Sequence, residues 1–319
     1  MKPILFLGIL AIAGGWGCKK SNSSRPAPLT WTPGSTVYIV GQDSGFVTYW
    51  TNGVKTRMTA SGYGNGITVA GSDVYIGGTV FSAGTVEKAA IWKNGVETDL
   101  TDTGIAWAFQ PGVRGGDVYV PGYVFGPSPD VYPVVWKNGQ RIYLDATRRG
   151  IATGLAVADT DIYVIGQVYD GFDTTLVWKN GERWGEPFVI EGDAFGQIVS
   201  FGSDVYMTLG NGYYMDRTAY SFTNPAAVYG IFVSGSAVLL AGTVDSVPKP
   251  AWWEGGRATV LPTYTKSTNT SATGIAMAGS DIYVIGTTYL NGRYKGVIWK
   301  NGVEDTLTGN GELKGILVR

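Results

Sequence analysis

Short segments in which apolar and polar residues alternate recur along the chain at a nearly constant spacing. The clearest is a Val/Ile-Tyr pair, and successive copies begin 37, 44, 44, 43, 33 and 44 residues apart. Alternation with a period of two is typical of a half-buried β-strand. We number the repeat units 1 to 7 after these segments: Val37-Tyr38, Val74-Tyr75, Val118-Tyr119, Ile162-Tyr163, Val205-Tyr206, Val238-Leu239 and Ile282-Tyr283.

A second strand in each unit ends in Trp-Lys-Asn-Gly or a relative of it. The complete motif lies at 92–95, 136–139, 178–181 and 299–302, and diverged copies lie at 50–53, 221–224 and 253–256. Asn-Gly between alternating segments predicts a type I′ hairpin, because both central residues need positive φ. Gly-Ser-Asp at 71–73, 202–204 and 279–281 predicts a further tight hairpin. We therefore interpret the recurring Asp, Asn and Lys as turn residues rather than ligands.

A third recurring segment is an apolar strand with Gly-Ile or Gly-Leu, as at 66–67, 154–155, 230–231, 274–275 and 315–316. With the short strand after each Asn-Gly turn, every unit offers four strands. This repeat predicts an all-β fold, a seven-bladed β-propeller of four-stranded antiparallel blades. Because the repeats begin on a Val-Tyr strand and end on a Gly-Ile strand, we expect the C-terminal strand to pair with the first blade and close the ring. An open solenoid is the alternative.

The Val-Tyr-Val and Trp-Lys-Asn-Gly repeats over residues 31–319 resemble those of β-propeller lipoproteins of the Bacteroidota. The match is weakest in unit 5, which is short and lacks the Trp. The resemblance implies a fold and a location, since such families mostly have no established activity.

The N-terminus is typical of an export signal. A run of ten apolar residues begins at Ile4, too short to span a bilayer, and Cys18, the only Cys, lies where cleavage would fall. We expect residues 1–17 to be a lipoprotein signal peptide, 18–30 an acylated Cys and flexible tether, and 31–319 the propeller domain. The expected location is the bacterial cell envelope, lipid-anchored to the outer membrane on its surface or periplasmic side. The alternative is an ordinary secretory signal with an incidental Cys.

The composition excludes several kinds of catalytic and binding site. The chain has no His, so Ser-His-Asp triads, Cys-His pairs and His metal clamps are excluded. A net charge of −1 does not support nucleic-acid binding. We expect no cofactor, no bound metal, a monomer, and no membrane contact beyond the lipid anchor.

The two tight hairpins share one edge of each predicted sheet, so the variable connections share the other, where specificity is usually built. Aromatic residues mixed with Asp and Arg in these connections suit a carbohydrate. The candidate ligand-binding residues are Tyr63, Trp107, Phe109, Arg148, Arg149, Asp193, Phe195, Tyr213, Tyr214, Arg217 and Tyr229.

The first functional hypothesis is a non-enzymatic envelope lipoprotein whose long-loop face binds a glycan or a protein. The second is a carboxylate-dependent, glycan-active enzyme using Glu191 with Asp193, or Asp170 with Asp173. The third is a structural scaffold in an envelope complex. No residue carries a catalytic signature, which favours binding.

Overall fold

The fold is built from antiparallel strands. The computed structural model describes residues 29–82, 86–101, 104–126, 130–169, 173–189, 196–222, 226–245, 248–263, 267 and 269–319, and no helix occurs among them. None of these described residues belongs to a helix long and apolar enough to cross a membrane. The predicted signal peptide and Cys18 lie outside the described residues.

The strands in chain order are β1 (Val37–Asp43), β2 (Phe46–Thr51), β3 (Val54–Ala70), β4 (Asp73–Ser82), β5 (Val86–Lys93), β6 (Val96–Asp99), β7 (Ala106–Ala108), β8 (Gly112–Arg114), β9 (Asp117–Phe125), β10 (Val131–Lys137), β11 (Gln140–Tyr143), β12 (Gly150–Ala158), β13 (Asp161–Tyr169), β14 (Asp173–Lys179), β15 (Glu182–Arg183), β16 (Phe188–Val189), β17 (Ile198–Phe201), β18 (Asp204–Leu209), β19 (Gly212–Met215), β20 (Thr218–Ser221), β21 (Ala226–Ser234), β22 (Ala237–Val244), β23 (Lys249–Glu254), β24 (Arg257–Val260), β25 (Thr270–Ala278), β26 (Asp281–Leu290), β27 (Arg293–Lys300), β28 (Val303–Thr306) and β29 (Leu313–Val318).

Each repeat unit folds into a sheet of consecutive strands. Units 5, 6 and 7 are four-stranded, as in the order β21-β22-β23-β24, and units 3 and 4 each include one additional short strand. Units 1 and 2 are joined because β3 pairs with β2 through its first residues and with β4 through its last. The four-strand pattern predicted from the sequence is therefore present.

The C-terminal strand belongs to the sheet of unit 1. β29 pairs antiparallel with β1, with Val37 opposite Val318 and Ile39 opposite Ile316. The backbone of Arg319 and that of Thr36 exchange two further hydrogen bonds, at 2.6 and 2.9 Å. The first and last strands of the chain are thus neighbours in one sheet.

The hairpin turns follow from their sequence. Asn94 and Gly95 have φ of 51° and 84°. The Asn94 side chain accepts a hydrogen bond from the Val74 amide at 2.9 Å and donates one to Asp73 at 2.7 Å. Lys93 lies 2.8 Å from Asp73 and, with Asn94, holds the pKa of that carboxyl below its usual value. The same arrangement recurs in units 3, 4 and 7, which confirms the interpretation of these side chains as turn residues.

Unit 5 differs from the sequence prediction. Its second hairpin turn lies at Asp216 and Arg217, whose φ values are positive, and Asp216 accepts from the Val205 amide at 3.0 Å. The counterpart of Trp-Lys-Asn-Gly is therefore 214–217, and the assignment of 221–224 to that motif is wrong. The cause is that β18 and β19, with six and four residues, are short and are joined by a two-residue turn, so the second hairpin turn comes earlier in this unit.

The Trp residues of the repeated motif pack between sheets. Trp50, Trp92, Trp136, Trp178, Trp253 and Trp299 are all at most 2% exposed. Each hydrophobic cluster combines residues of two consecutive units. One of them joins Val37 and Trp50 of unit 1 with Tyr283 and Ile298 of unit 7 and with Leu313 of β29.

Residues 29–32, the N-terminal strap, cover the junction between units 7 and 1. The Trp31 ring stacks on Tyr283 at 5.7 Å between centroids. The Thr32 hydroxyl donates to Asp281 at 2.7 Å, and Lys300 donates to the Thr30 carbonyl at 2.6 Å. Hydrogen bonds from Lys300 first, then from Thr32 and Asn301, lower the pKa of Asp281 to about 2. The strap is thus held by one ring and by side-chain hydrogen bonds.

Deleting residues 315–319 removes most of β29 and is expected to destabilise the protein. Loss of Ile316, Leu317 and Val318 exposes apolar surface worth about 3–5 kcal/mol, which corresponds to a fall of roughly 10 °C in the melting temperature. Arg319→Ala keeps the strand and serves as the control, with a change below about 1 kcal/mol. Calorimetry of both variants measures the difference, and equal melting temperatures would contradict a structural role for β29.

Candidate functional site

The first strands of the units share a β-bulge that directs one side chain toward the middle of the molecule. The pairing register shifts between Gly64 and Gly66 in β3, and equivalent shifts occur in β12, β21, β25 and β29. A bulge inserts one residue and re-aims its side chain. The bulged residues are Asn65, Thr153, Tyr229, Thr273 and Lys314.

Glycine follows each of these bulged residues because neighbouring first strands approach closely. A Cβ on Gly230 would lie 2.8 Å from the Cα of Gly274, and a Cβ on Gly66 would lie 2.4 Å from the Cα of Gln110. Neither contact leaves room for a side chain. In unit 5 the corresponding residue is Gln197, whose side chain accepts a hydrogen bond from the Ile231 amide at 2.8 Å.

The bulged residues line a central pocket of about 150 Å³. The third unit contributes Phe109, which lies in the gap between β7 and β8, and the fifth contributes Gly196. Lys314 forms an ion pair with Glu312, and both line an adjacent cavity of about 190 Å³. Amide, hydroxyl, ammonium and aromatic groups therefore meet at one place, supplied by every unit of the chain.

A row of aromatic rings leads away from the central pocket over units 2 and 3. Tyr63 stacks with Trp107 at 6.3 Å, and Trp107 stacks with Tyr123 at 6.1 Å. Phe125, 39% exposed, lies 6.1 Å beyond Tyr123, and Phe109 connects Tyr123 to the pocket. The rings of Trp107 and Tyr123 are side by side because these residues are opposite each other in the pairing of β7 with β9. We call Tyr63, Trp107, Phe109, Tyr123 and Phe125 the aromatic row.

Two charged groups contact the row, Glu87 at the side of Trp107 and Lys314 at the Tyr63 end. The Trp107 indole donates to the Glu87 carboxylate at 2.6 Å, which fixes the orientation of the ring. Burial, and secondarily the Glu87 charge, raise the pKa of Tyr123 above its usual value. The Lys314 ammonium lies 5.9 Å from the centre of the Tyr63 ring. The row and the central pocket thus form one continuous surface.

Four of the candidate residues predicted from the sequence come together on this surface: Tyr63, Trp107, Phe109 and Tyr229. Tyr229 is 41% exposed and lines the pocket. Asp193 and Phe195 lie outside the described residues, as do Glu191 and Asp170, and nothing is described of the Asp173 side chain. Among the described residues, no group of three or more Cys, Asp or Glu could hold a metal ion.

Arg148 and Arg149 are held by two carboxylates of unit 3, Asp145 and Asp130. The Arg148 side chain donates to Asp145 at 2.7 Å, and Arg149 lies 3.2 Å from Asp130. Burial alone would raise the pKa of Asp145, but hydrogen bonds from Thr147 and Arg148 outweigh that effect and lower it to about 2. Neither arginine lines the central pocket.

Tyr213, Tyr214 and Arg217 are not loop residues, and their assignment to a variable loop is wrong. Tyr213 and Tyr214 lie on β19, where Tyr213 stacks on Tyr220 at 4.8 Å and Tyr214 packs against the hydrophobic cluster of units 4 and 5. Arg217 lies in the opposite hairpin turn and donates to the Trp184 carbonyl at 2.8 Å. The reason is the two-residue turn at Gly210 and Asn211; similarly short turns follow β1 and β26.

The sequence reasoning missed several residues of the surface. Thr153, Thr273, Gln110 and Gln197 line the pocket, and Glu87 binds the Trp107 indole. All five bulged residues have one sequence signal, since each directly precedes the Gly of a Gly-Ile or Gly-Leu pair. No comparable signal marks Glu87, whose partner lies in the next unit.

Comparison with known proteins agrees on the fold alone. No protein-family profile and no curated protein sequence matches the chain. A solved structure of a puromycin hydrolase, the S511A mutant, is similar with a TM-score of 0.53 and 12% identity over 91% of this chain and 54% of that one. The chain therefore spans about half of that enzyme's length. The β-propeller domain of the Trilobed protease from Pyrococcus furiosus is less similar, with a TM-score of 0.44 and 12% identity over 79% of this chain and 84% of that one. A GH43_1 enzyme from Xanthomonas citri has a TM-score of 0.39 and 11% identity over 78% of this chain and 91% of that one.

The architecture defines the class of protein. Four-stranded antiparallel sheets pack face to face through their buried Trp residues, and their first strands approach one another around a central pocket. This arrangement is the β-propeller fold.

Adjacent residues of one bulge are expected to respond differently to substitution. Gly230→Ala places a methyl group against Gly274 and should lower the free energy of unfolding by about 1–3 kcal/mol. Tyr229→Ala removes a half-exposed side chain that faces the pocket, so its change should stay below about 1 kcal/mol. Denaturant unfolding measures both variants, and the reverse order would disprove the packing role of Gly230.

Proposed function

We propose that the chain forms a closed ring of seven blades that acts as a non-enzymatic binding module. Support for closure comes from β29, which pairs with β1 and also contacts β3 and β25. The hydrophobic cluster that joins units 7 and 1 supports it as well. Every unit supplies residues to the central pocket, as expected when the units are arranged in a closed ring.

The observation that carries the proposed binding function is the continuity of the aromatic row with the central pocket. A contiguous aromatic surface that a folded protein leaves exposed to solvent usually serves to recognise a ligand or a partner. Here three rings stand in stacking order, and Glu87 orients the central one from the side. This arrangement presents ring faces and edges along a strip, rather than a closed hydrophobic cavity.

Carbohydrate is the ligand class that fits this mixture best. Aromatic rings pack against the apolar faces of sugar rings, while amide, hydroxyl and charged side chains bond the hydroxyl groups. Asn65, Thr153 and Thr273 supply such groups in the pocket, and Glu312 with Lys314 supplies both an acceptor and a donor beside it. A chain of sugar units that runs from the pocket along the aromatic row would use all of them.

The carboxylate-dependent enzyme stays the alternative function. The carboxylates proposed for it lie outside the described residues or on a side chain that is not described. Turnover of a bound polysaccharide, lost in Asp193→Asn with binding retained, would replace the binding proposal with this one. A protein scaffold is the third alternative and predicts no glycan binding.

A glycan array followed by calorimetry tests the proposal. We expect at least one oligosaccharide to bind, and Trp107→Ala or Tyr63→Ala to weaken its affinity by about tenfold or more, because each loses a stacking face. Tyr220→Ala is the matched control, since Tyr220 is 41% exposed and stacked but lies on β20, away from the aromatic row. Equal losses in all three variants, or an array without binding, would contradict the proposal.

We also propose that the protein is anchored in the bacterial cell envelope through Cys18. The support is the apolar run from Ile4 and the position of the only Cys. Cys18→Ala is expected to abolish incorporation of a labelled fatty acid and to move the protein from the membrane fraction to the soluble fraction. Cys18→Ser distinguishes loss of acylation from a general effect of a smaller side chain, and labelling of either variant would rule out this anchor.

A further inference from the structure

A second cavity, of about 440 Å³, lies between the sheets of units 3 and 4, on the edge that carries the tight hairpins. Its apolar walls include Val135, Leu144 and Ile162, and its rim includes Tyr119 and the turn residue Asn180. It shares no lining residue with the central pocket. A ligand here is therefore independent of the proposed carbohydrate site.

The same place between units 7 and 1 is filled by the N-terminal strap. Counted from the motif Trp residues, Trp136 and Trp299, Leu144 corresponds to Leu307 and Val135 to Ile298. Tyr119 likewise corresponds to Tyr283, on which Trp31 stacks, and Gly181 corresponds to Gly53, which touches the Trp31 ring. The molecule thus shows what this type of slot holds, namely an indole ring on an extended segment.

The polar groups that hold the strap are repeated at the cavity. Around the strap, the Tyr283 hydroxyl accepts from the Thr32 amide at 3.0 Å, while Asp281 and Lys300 bind the Thr32 hydroxyl and the Thr30 carbonyl. In unit 3 the corresponding residues are Tyr119, Asp117 and Lys137. Asp117 and Lys137 lie 2.8 Å apart, as Asp281 and Lys300 do.

A third junction, between units 4 and 5, is also covered by a Trp. Trp184 packs edge-on against Tyr163 at 5.1 Å, and it lies six residues after the motif residue Trp178. The residue six positions after Trp136 is Ile142, which is 45% exposed and lines the cavity. Ile142 is too small to cover the slot as Trp184 does.

Arg114 gives the cavity one wall that the other two junctions lack. Its guanidinium lies 5.4 Å from the centre of the Tyr119 ring and donates to the Tyr119 hydroxyl at 3.2 Å. It is held in place from unit 4, where it donates to the Thr160 carbonyl and, at 3.3 Å, to the Asn180 side chain. The equivalent residues, Ala158 and Ala278, are small and buried. A planar cation beside an apolar slot favours an aromatic ring, which gains a cation–π contact as well as burial.

We propose that this cavity binds an extended peptide segment of another protein that carries an aromatic residue followed by Thr or Ser. The aromatic ring enters between Arg114 and Leu144. The peptide backbone carbonyl before it is bound by Lys137, and the hydroxyl residue after it is bound by Asp117 and Tyr119, as in the strap.

A peptide with the strap's own sequence, acetyl-Leu-Thr-Trp-Thr-Pro-amide, is the probe. Calorimetric titration of the full chain is expected to give saturable binding of one peptide, and replacing the peptide's Trp by Ala should weaken it by about tenfold or more. Absence of binding overturns the proposal.

Ile142→Trp places a Trp at the position in unit 3 that Trp184 occupies in unit 4, where it covers the junction of units 4 and 5. We therefore expect the variant to fold and to bind the peptide about tenfold or more weakly, because the new ring covers the cavity. Val260→Trp is the matched control, because Val260 lies on the outer strand of unit 6 and is 52% exposed. Unchanged melting temperatures show that both variants are folded. Equal peptide affinity in wild type and Ile142→Trp would overturn the site.

Sedimentation of the full chain without peptide tests a competing occupant. The proposal predicts no dimer that depends on this cavity. A concentration-dependent dimer that Ile142→Trp abolishes would assign the cavity to a second copy's strap and overturn the proposal of a separate partner.

Discussion

Packing of one sheet on the next through a buried Trp is the constraint on which the rest of the structure depends. The Trp lies on the third strand of its sheet, is at most 2% exposed, and fills the space between two units rather than the interior of one. Each hydrophobic cluster of the described residues therefore combines two consecutive units, so that adjacent sheets stabilise each other. The tight hairpins, with their Asp, Asn and Lys side chains, keep the strands in the register that this packing requires.

The close approach of the first strands is a second consequence of the same packing. Because the sheets converge toward the centre, the first strands that carry Gly66 and Gly230 have no room for a larger residue at those positions. The bulge directly before that Gly removes one side chain from the crowded interface and directs it into the pocket. The same backbone irregularity thus allows the packing and supplies the polar lining of the candidate site.

The sequence predicts the strands and turns well, because both depend on neighbouring residues: Asn-Gly requires positive φ, and Val-Tyr alternates. The sequence does not predict how many residues a turn contains, and the assignment of a residue to a loop or a strand depends on that number. In unit 5 a two-residue turn at Gly210 moved Tyr213, Tyr214 and Arg217 from the expected loop onto a strand and the opposite hairpin. The pocket residues Thr153 and Thr273 were missed because the Gly-Leu and Gly-Ile pairs after them were interpreted only as parts of strands, whereas the pairing register shows that Thr153 and Thr273 are bulged. Tyr63, Trp107 and Phe109 were found because consecutive units place them on the same edge, yet their stacking order depends on pairing between strands.

The pairing of β29 with β1 also affects how the chain folds. These strands are neighbours in space but are separated by nearly the whole sequence, so the first sheet lacks its innermost strand until the C-terminus has been synthesised. Contacts between such distant residues slow folding, because a long loop must be closed before they form. During synthesis, the edge of β1 stays open until β29 has formed, and it is the place where a chaperone or a wrong strand would bind.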